Sequence, residues 1–367
     1  MTGDLAPMDR TARLAMTRAA MAEAAVDALV VTKPVNIRWL TGFTGSSGLV
    51  VVGPEVLTLI TDDRYDVQVR QQVADAAVEA TIAITRNPMD PVTAAVAGLP
   101  AVGLESDHIT WSQQRRIAGL LDAATTVPTE GLVETLRQVK DPGEIERLKK
   151  AAAIADDALA AVRPELGRGR TEVAIARLLE REMIDRGADG LSFPTIVAAG
   201  LNSAKPHATP SDRPIEDGDM VVIDFGAAVD GYGSDMTRSF LVGRVSTRQQ
   251  DMFDAVIEAQ AAGVAAVAAG VDEREIDRIC RDRLAEHQLA EAFTHGAGHG
   301  IGLEIHENPF LSTRATGILR SGYVITVEPG VYLPELGGVR IEDSVVVTRS
   351  GCEPITKSSK DPTIVPG

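Results

Sequence analysis

The chain has 367 residues and a formal net charge of −16 at pH 7. A chain of this length exceeds one typical domain and favours two, each large enough to bury its own core. The negative charge excludes nucleic acid and anionic membranes as partners, because both would repel the protein, and a small substrate is the expectation that remains.

The region before residue 131 alternates helical and strand-like segments in the short periods of an α/β unit. Its opening residues, MTGDLAPMDRTARLAM, include acids and no apolar run, so we expect no secretory signal and a cytoplasmic protein. Asp62, Asp63 and Asp66 have no histidine beside them, and acids are favoured at a helix N-terminus, so no metal site is expected here. The predicted helices cover residues 10–25, 61–76 and 111–123, and the predicted strands cover 28–32, 48–52, 57–61 and 78–84.

The pattern changes near residue 141, where Asp141, Pro142 and Glu144 combine an N-cap, a proline at the first helical position and an acid in the first turn. From there the order of elements repeats, with two helices followed by strands. We therefore expect a pseudo-twofold repeat in this half. The predicted helices cover residues 141–162, 171–186, 249–269 and 272–287, and the predicted strands cover 191–198, 220–227, 234–242, 323–332 and 339–348.

Two further features limit the class of protein. The most apolar stretch, residues 255–271, is mostly alanine and is interrupted by Glu258 and Gln260, so it is too weak for a membrane span. Cys280 and Cys352 are the only cysteines and lack CxxC spacing, so we expect reduced structural thiols and no thiolate zinc site.

Histidine and acid residues in glycine-rich or β-rich segments predict a metal centre. The segment HGAGHGIGLEIH at residues 295–306 holds three of the six histidines of the chain. Four carboxylates balance two divalent cations in charge, with a bridging hydroxide as the remaining anion, and oxygen and imidazole donors suit such ions. The predicted repeat would bring the four acids to one centre. The acids are Asp224 in VIDFGA, Asp235 in GSDMTR, Glu328 in TVEPG and Glu342 in RIED.

These motifs resemble the pita-bread metallopeptidases, the family of Xaa-Pro dipeptidase (prolidase), aminopeptidase P and methionine aminopeptidase, over essentially the whole chain. The resemblance implies a small α/β amino-terminal domain in residues 1–135 and an α+β pita-bread catalytic domain with a pseudo-twofold repeat in residues 136–367. Three segments ahead of the catalytic motifs resemble the proline-specific branch of the family, namely NIRWLTGF, TDDRY and VKDPGEIERLKKA. The catalytic motifs are IDFGAAVDGYGSDMTR, HGAGHGIGLEIHE, TVEPGVY and GGVRIEDSVVVT.

The resemblance also implies a set of metal ligands. Asp224 would be a terminal ligand of one ion, Asp235 and Glu342 would bridge two ions, and His299 and Glu328 would complete the second. A hydroxide bridging the two ions would attack the scissile carbonyl, with Glu328 as general base. Mn²⁺ suits this oxygen-rich set, and Co²⁺, Fe²⁺ and Zn²⁺ fit as well. No ligand of the family is missing, whereas creatinase shares the fold and lacks this set.

Other residues match positions around the metals. His207 matches a histidine beside the scissile bond, and His306 would stabilise the oxyanion. His295 matches a position in the pocket wall, Arg340 an ion-pairing neighbour of the acids and Tyr332 a nearby hydroxyl. Taken singly, His306 could be a core histidine, His295 a turn cap, Arg340 a structural partner and each Asp a turn residue. His108 and His287 match no motif and are expected at the surface.

The expected function is a cytoplasmic exopeptidase that removes the residue before proline from short peptides. Whether the substrate is a dipeptide or a longer peptide depends on how far the amino-terminal domain closes the cleft, and both remain open. The alternative is a catalytically inactive pita-bread protein that binds peptides, although such relatives usually lose ligands. The resemblance also implies a homodimer in which the amino-terminal domains take part in the subunit contact.

Overall fold

The computed structural model of the chain describes residues 5–121 and 124–365. These residues form two compact units. The small unit is Pro7–Arg137, and the large unit contains nearly all the remaining described residues, from Gln138 onwards. Among the described residues, no helix combines the length and the apolar character that a bilayer crossing requires.

The small unit is built on a six-stranded sheet with the order β4-β3-β2-β1-β5-β6. Its strands are β1 (Ala28–Val31), β2 (Leu49–Val52), β3 (Leu57–Thr61), β4 (Thr81–Ile84), β5 (Ala101–Glu105) and β6 (Thr125–Thr129). Its helices are α1 (Arg10–Glu23), α2 (Pro34–Thr41), α3 (Asp66–Asp75), α4 (Met89–Ala95), α5 (Trp111–Ala118) and α6 (Leu132–Arg137). β2 is antiparallel to both of its neighbours, β1 and β3. The other pairs are parallel: β5 with β1, β5 with β6, and β4 with β3. The predicted α/β class is therefore confirmed.

The large unit contains four long helices and several small sheets. Its helices are α7 (Pro142–Val162), α8 (Glu172–Asp185), α9 (Thr247–Ala266) and α10 (Glu273–Glu286). Its first strands are β7 (Gly190–Leu191), β8 (Ile196–Ala199), β9 (Met220–Phe225), β10 (Ala227–Val229), β11 (Tyr232–Gly233) and β12 (Met236–Val242). Its later strands are β13 (Gly298–Gly300), β14 (Glu307–Leu311), β15 (Val324–Val327), β16 (Gly330–Leu333), β17 (Gly337–Arg340), β18 (Asp343–Thr348), β19 (Gly351–Pro354) and β20 (Thr363–Ile364).

The two halves of the large unit repeat one arrangement. The helix pair α7 and α8 precedes the antiparallel order β8-β9-β12, and the pair α9 and α10 precedes the antiparallel order β13-β15-β18. A short two-stranded insertion separates the second strand from the third in each half, β10-β11 in the first and β16-β17 in the second. Each half also has its own hydrophobic core. The order of elements therefore repeats as predicted.

The helices of this unit match the prediction closely, and α7 begins with the predicted cap. Asp141 accepts a hydrogen bond from the backbone of Glu144, and the Glu144 side chain accepts one from the backbone of Asp141. This reciprocal pair satisfies two backbone donors that the first helical turn leaves free. The N-cap sequence is thus sufficient to place the start of the longest helix.

The prediction of two continuous strands at residues 323–332 and 339–348 was wrong. The first is interrupted between β15 and β16, where Glu328 and Pro329 lie, and the second is interrupted between β17 and β18, where Ile341 and Glu342 lie. Proline has no N–H for a sheet ladder, which explains the first interruption. Both predicted metal ligands therefore lie at strand ends, where a side chain can leave the sheet.

Candidate metal centre

The acidic residues of the site project from strand ends of the large unit. Asp224 lies in β9 opposite Thr237 of β12, and Asp235 directly precedes β12. Alternate residues of a strand share one face, and three of the four acids have a polar neighbour two positions away. The resulting pairs are Asp235 with Thr237, Thr326 with Glu328, and Arg340 with Glu342.

His299 is held on β13 with its ring directed at the acids. Its backbone N–H donates to Thr326 Oγ1 at 3.0 Å, and its Nδ1 lies 3.1 Å from the carbonyl oxygen of Gly300. Because a carbonyl only accepts hydrogen bonds, Nδ1 carries the proton of the neutral ring and Nε2 has a lone pair. Nε2 lies 3.3 Å from Glu328 Oε1 and 3.6 Å from Asp235 Oδ2. A lone pair facing carboxylates is the arrangement that a cation would stabilise.

Three ligand atoms of Asp235, His299 and Glu342 lie within 4.8 Å of one another. Burial raises the pKa of Asp235 well above its usual value, and repulsion from Glu342, Asp224 and Glu328 raises it further. Burial and repulsion from Glu328 and Asp224 likewise raise the pKa of Glu342. In the described part of the chain, neither carboxylate is paired with a lysine or arginine. The nearby Arg340 pairs with Asp224 instead, so the buried carboxylates of the cluster outnumber the cations beside them.

Two buried carboxylate oxygens have no hydrogen-bond partner in residues 5–121 and 124–365, namely Oδ1 of Asp224 and Oε1 of Glu342. The second oxygen of each group is satisfied, by Arg340 at 2.6 Å in Asp224 and by Thr237 Oγ1 at 2.8 Å in Glu342. A buried acceptor without a donor costs about 1–3 kcal/mol, more when charged. Divalent cations would satisfy these oxygens together with the lone pair of His299, so the residues present fit such ions.

Arg340, Tyr332 and His295 form a chain of hydrogen bonds that starts at Asp224. Arg340 donates through Nη2 to Asp224 Oδ2 and through Nη1 to the Tyr332 hydroxyl at 2.7 Å. Tyr332 donates to His295 Nε2 at 2.9 Å, since His295 Nδ1 lies 2.8 Å from the Gly296 carbonyl and must carry the ring proton. Burial lowers the pKa of His295 and raises that of Tyr332, so both remain neutral at pH 7.

The five predicted ligands and the histidines at 207, 295 and 306 line one cleft of about 690 Å³. The centroids of the His306 and His299 rings lie 4.4 Å apart. Burial lowers the pKa of His306, and repulsion from His299 lowers it further. His207 also lines the cleft and is exposed to it. Apolar walls come from Phe193, Ile196 and Phe310, and Arg340 completes the polar lining. Tyr332 lies behind the cleft, in contact with His295 and Arg340.

Sequence reasoning missed two threonines of this site and its apolar walls. Thr237 bonds Glu342, while Thr326 bonds both the backbone of His299 and, at 3.3 Å, Glu328 Oε1. Each threonine lies two residues from an acid at the end of its strand, and this spacing was the signal that could have identified it. The glycine-rich stretch also has a physical reason, because a Cβ at Gly298 would collide with the carbonyl oxygen of Thr326.

Two family profiles match the chain. Residues 146–349 match the profile of metallopeptidase family M24, and residues 13–139 match the creatinase/prolidase N-terminal domain. "Uncharacterized peptidase YqhT" of Bacillus subtilis is 41% identical over 337 residues, which cover 92% of this chain and 95% of that protein.

Two solved structures are similar over nearly their full length. "Xaa-Pro dipeptidase from Bacillus anthracis" has a TM-score of 0.93 at 40% identity and covers 97% of this chain and 100% of its own. The X-Pro aminopeptidase from Thermotoga maritima has a TM-score of 0.86 at 34% identity, and the match covers 95% of this chain and 99% of that protein. The family match spans more than half of the chain, and the relatives align over nearly all of it. The chain is therefore a member of metallopeptidase family M24, with a creatinase/prolidase amino-terminal domain followed by a pita-bread catalytic domain.

Proposed function

We propose that this metallopeptidase is an exopeptidase that hydrolyses the Xaa-Pro bond at the amino end of dipeptides or short peptides. The observation that carries the proposal is the convergence of four carboxylates and His299 in one cleft, with two buried carboxylate oxygens left without partners. The names of the similar proteins support the proline preference, and apolar walls such as Phe193 and Phe310 suit a pyrrolidine ring.

In this proposal two divalent ions, Mn²⁺ in our preferred assignment and Co²⁺, Fe²⁺ or Zn²⁺ as alternatives, are held by Asp224, Asp235, His299, Glu328 and Glu342. When bound, such ions activate water as a nucleophile and polarise the scissile carbonyl. We assign residues 1–135 and 136–367 as the two domains of this cytoplasmic enzyme, whose two cysteines are both free.

The protein's own groups have separate roles in the proposed reaction. Glu328 accepts the proton of the attacking water and passes it to the departing nitrogen. His306, neutral at pH 7 because its pKa is lowered, donates an N–H to the developing oxyanion. His207 contacts the substrate at the scissile bond. Arg340 holds Asp224 in place, and Tyr332 fixes the ring of His295 in the cleft wall.

A panel of Ala-Pro, Ala-Pro-Ala and Ala-Ala with added Mn²⁺ tests the function directly. We expect hydrolysis of at least one proline peptide and none of Ala-Ala. Cleavage of Ala-Pro alone assigns a dipeptidase, whereas cleavage of Ala-Pro-Ala assigns an aminopeptidase. Preferential cleavage of Ala-Ala would contradict the proline preference. The alternative, an inactive peptide-binding protein, requires that no peptide is cleaved and that purified protein holds no metal after reconstitution.

We expect metal to stabilise the fold as well as to support activity. A ligand that binds only the folded state stabilises it by about 4 kcal/mol at 1,000 times its Kd, and here it would also relieve repulsion among buried carboxylates. Chelated protein should therefore melt several degrees below Mn²⁺-loaded protein in differential scanning calorimetry. Equal melting temperatures with and without Mn²⁺ would contradict a metal site in the folded core.

A homodimer is a further prediction, based on the resemblance to the proline-specific branch. Analytical ultracentrifugation should give a species of twice the chain mass of 38.8 kDa. A fully active species that sediments as a single chain at all concentrations would contradict it.

A further inference from the structure

Glu172, the first residue of α8, is a buried carboxylate far along the sequence from every predicted site residue. Its side chain has no exposed surface. Oε1 accepts the backbone N–H of Ala199 at 2.7 Å and the side-chain amide of Asn202 at 3.1 Å. Oε2 accepts the backbone N–H and the hydroxyl of Ser211 at 2.9 and 2.6 Å. Within the described chain, no lysine or arginine forms an ion pair with Glu172.

These donors come from the two ends of one surface segment, residues 199–202 and residue 211. The segment between them carries His207. Residues 206–210 all line the cleft. One carboxylate therefore fastens both ends of the loop that presents His207. A third attachment lies in the middle, where Arg340 donates to the carbonyl oxygen of Pro206 at 3.1 Å.

The energetics of this anchor favour a fixed loop. Taking a carboxylate out of water is costly unless its oxygens are bonded, and hydrogen bonds to a charged acceptor are about twice as strong as neutral ones. Releasing residues 199–202 would leave Oε1 without donors, and releasing Ser211 would leave Oε2 with only the 3.3 Å bond from the Asn202 side chain. The hydrogen bonds that hold the two ends of the loop are therefore the same bonds that stabilise the buried Glu172 carboxylate.

We propose that Glu172 is a positioning residue for His207: the Glu172 carboxylate holds the loop of residues 203–210, which carries His207, against the cleft. The proposal rests on the function proposed above in assigning a reaction to His207. The anchoring of the loop itself does not depend on that function, so the two can fail separately.

The second half of the large unit offers a matched control. Glu273 is the first residue of α10, as Glu172 is of α8. The backbone N–H of Glu273 donates to the carbonyl oxygen of Gly317, and that of Glu172 donates to the carbonyl oxygen of Arg213. Glu273 as a residue is 8% exposed, and its carboxylate accepts one backbone N–H, from Gly317 at 3.1 Å. Within the described residues, no hydrogen bond joins its carboxylate to residues 199–211. Glu273→Gln therefore removes a charge at an equivalent buried position without releasing that loop.

Glu172→Gln replaces one accepting oxygen by an amide that can only donate, so one end of the loop loses its acceptor. In hydrogen-exchange mass spectrometry, amides of residues 203–210 should exchange faster in Glu172→Gln than in wild type, and should be unchanged in Glu273→Gln. Metal content should stay at the wild-type value in both variants. Unchanged exchange of this segment in Glu172→Gln would overturn the proposal.

The catalytic half of the test is a double-variant cycle on Ala-Pro hydrolysis. Glu172→Gln should lower kcat by roughly 10- to 100-fold, the cost of misplacing a group near the reaction. In a His207→Ala background the same change should cost less than roughly twofold, because residues that act as one unit are not additive. Penalties that simply multiply would overturn the positioning role.

Two provisions keep the test decisive. If Glu172→Gln does not fold, Ser211→Ala removes the 2.6 Å hydroxyl donor, together with the acceptor of the Arg213 N–H, and keeps the backbone donor of Ser211. It should produce the same changes at smaller amplitude. If wild-type protein cleaves no Xaa-Pro peptide, the proposed function fails, while hydrogen exchange still decides whether Glu172 anchors the loop.

Discussion

Replacing Glu342 by alanine should abolish peptide hydrolysis and metal binding together. The residue is 1% exposed, and its carboxylate lies in the cluster with Asp235 and His299. One of its oxygens has no hydrogen-bond partner among the residues that the structure describes. Loss of a bridging ligand would leave the ions too weakly held to remain during purification. We expect turnover to fall on the order of 10⁴-fold, comparable with removal of an essential catalytic carboxylate in other hydrolases.

Two measurements check this expectation, metal content by elemental analysis and turnover of a cleaved Xaa-Pro peptide before and after chelation. Chelated wild type should match Glu342→Ala, and added Mn²⁺ or Co²⁺ should restore only the wild type. Glu273→Gln, a buried-carboxylate change outside the cleft, should retain its metal and most of its activity. Near-normal turnover by metal-free wild type or by Glu342→Ala would refute a metal-dependent reaction.

Stability provides an independent readout at the same position. Without metal, burial and repulsion from Glu328 and Asp224 raise the pKa of Glu342, so ionisation of this side chain is disfavoured there. The isosteric change Glu342→Gln removes that charge, so the metal-free variant should melt at a higher temperature than metal-free wild type. With Mn²⁺ the order should reverse. A lower melting temperature for the metal-free variant would argue that Glu342 has another counter-charge.

Local sequence signals predicted the large elements well because those signals act within one turn or one strand. Asp141 with Pro142 defines the start of α7, and the run from Met220 to Phe225 has the apolar character of a buried strand. Two short helices, α2 and α4, were missed. α2 covers eight residues and α4 seven, too few for a helical period to stand out. Pro34 and the left-handed Gly42 were the available boundary signals for α2.

The site was predictable as a set of residue types, but its arrangement was not. The acids and His299 follow from motifs, yet no local pattern shows that Thr237 donates to Glu342, a residue 105 positions away. Gly298–Gly300 resembled a turn in sequence, and only pairing with β14 and β15 makes it a strand. Glu172 resembled an ordinary acid at a helix N-terminus. Its role as an anchor depends on contacts 27 and 39 residues away.

The pair of variants His207→Ala and His299→Ala should separate substrate contact from metal binding. His299 is 7% exposed, and its Nε2 lone pair faces Glu328 and Asp235, so alanine there should remove the metal and with it all activity. His207 is exposed to the cleft, and no hydrogen bond to its side chain occurs within residues 5–121 and 124–365. It is therefore free to contact a substrate.

His207→Ala should keep its metals while kcat falls roughly 10²–10³-fold, the range for loss of one donor to the oxyanion. Elemental analysis and turnover of the preferred Xaa-Pro peptide, measured on both variants under one metal concentration, decide the assignment. Metal loss from His207→Ala would make His207 a ligand, and unchanged turnover would remove it from the reaction. The contrast matters because both imidazoles line one cleft, and only the direction of the Nε2 lone pair in His299 distinguishes a metal ligand from a substrate contact.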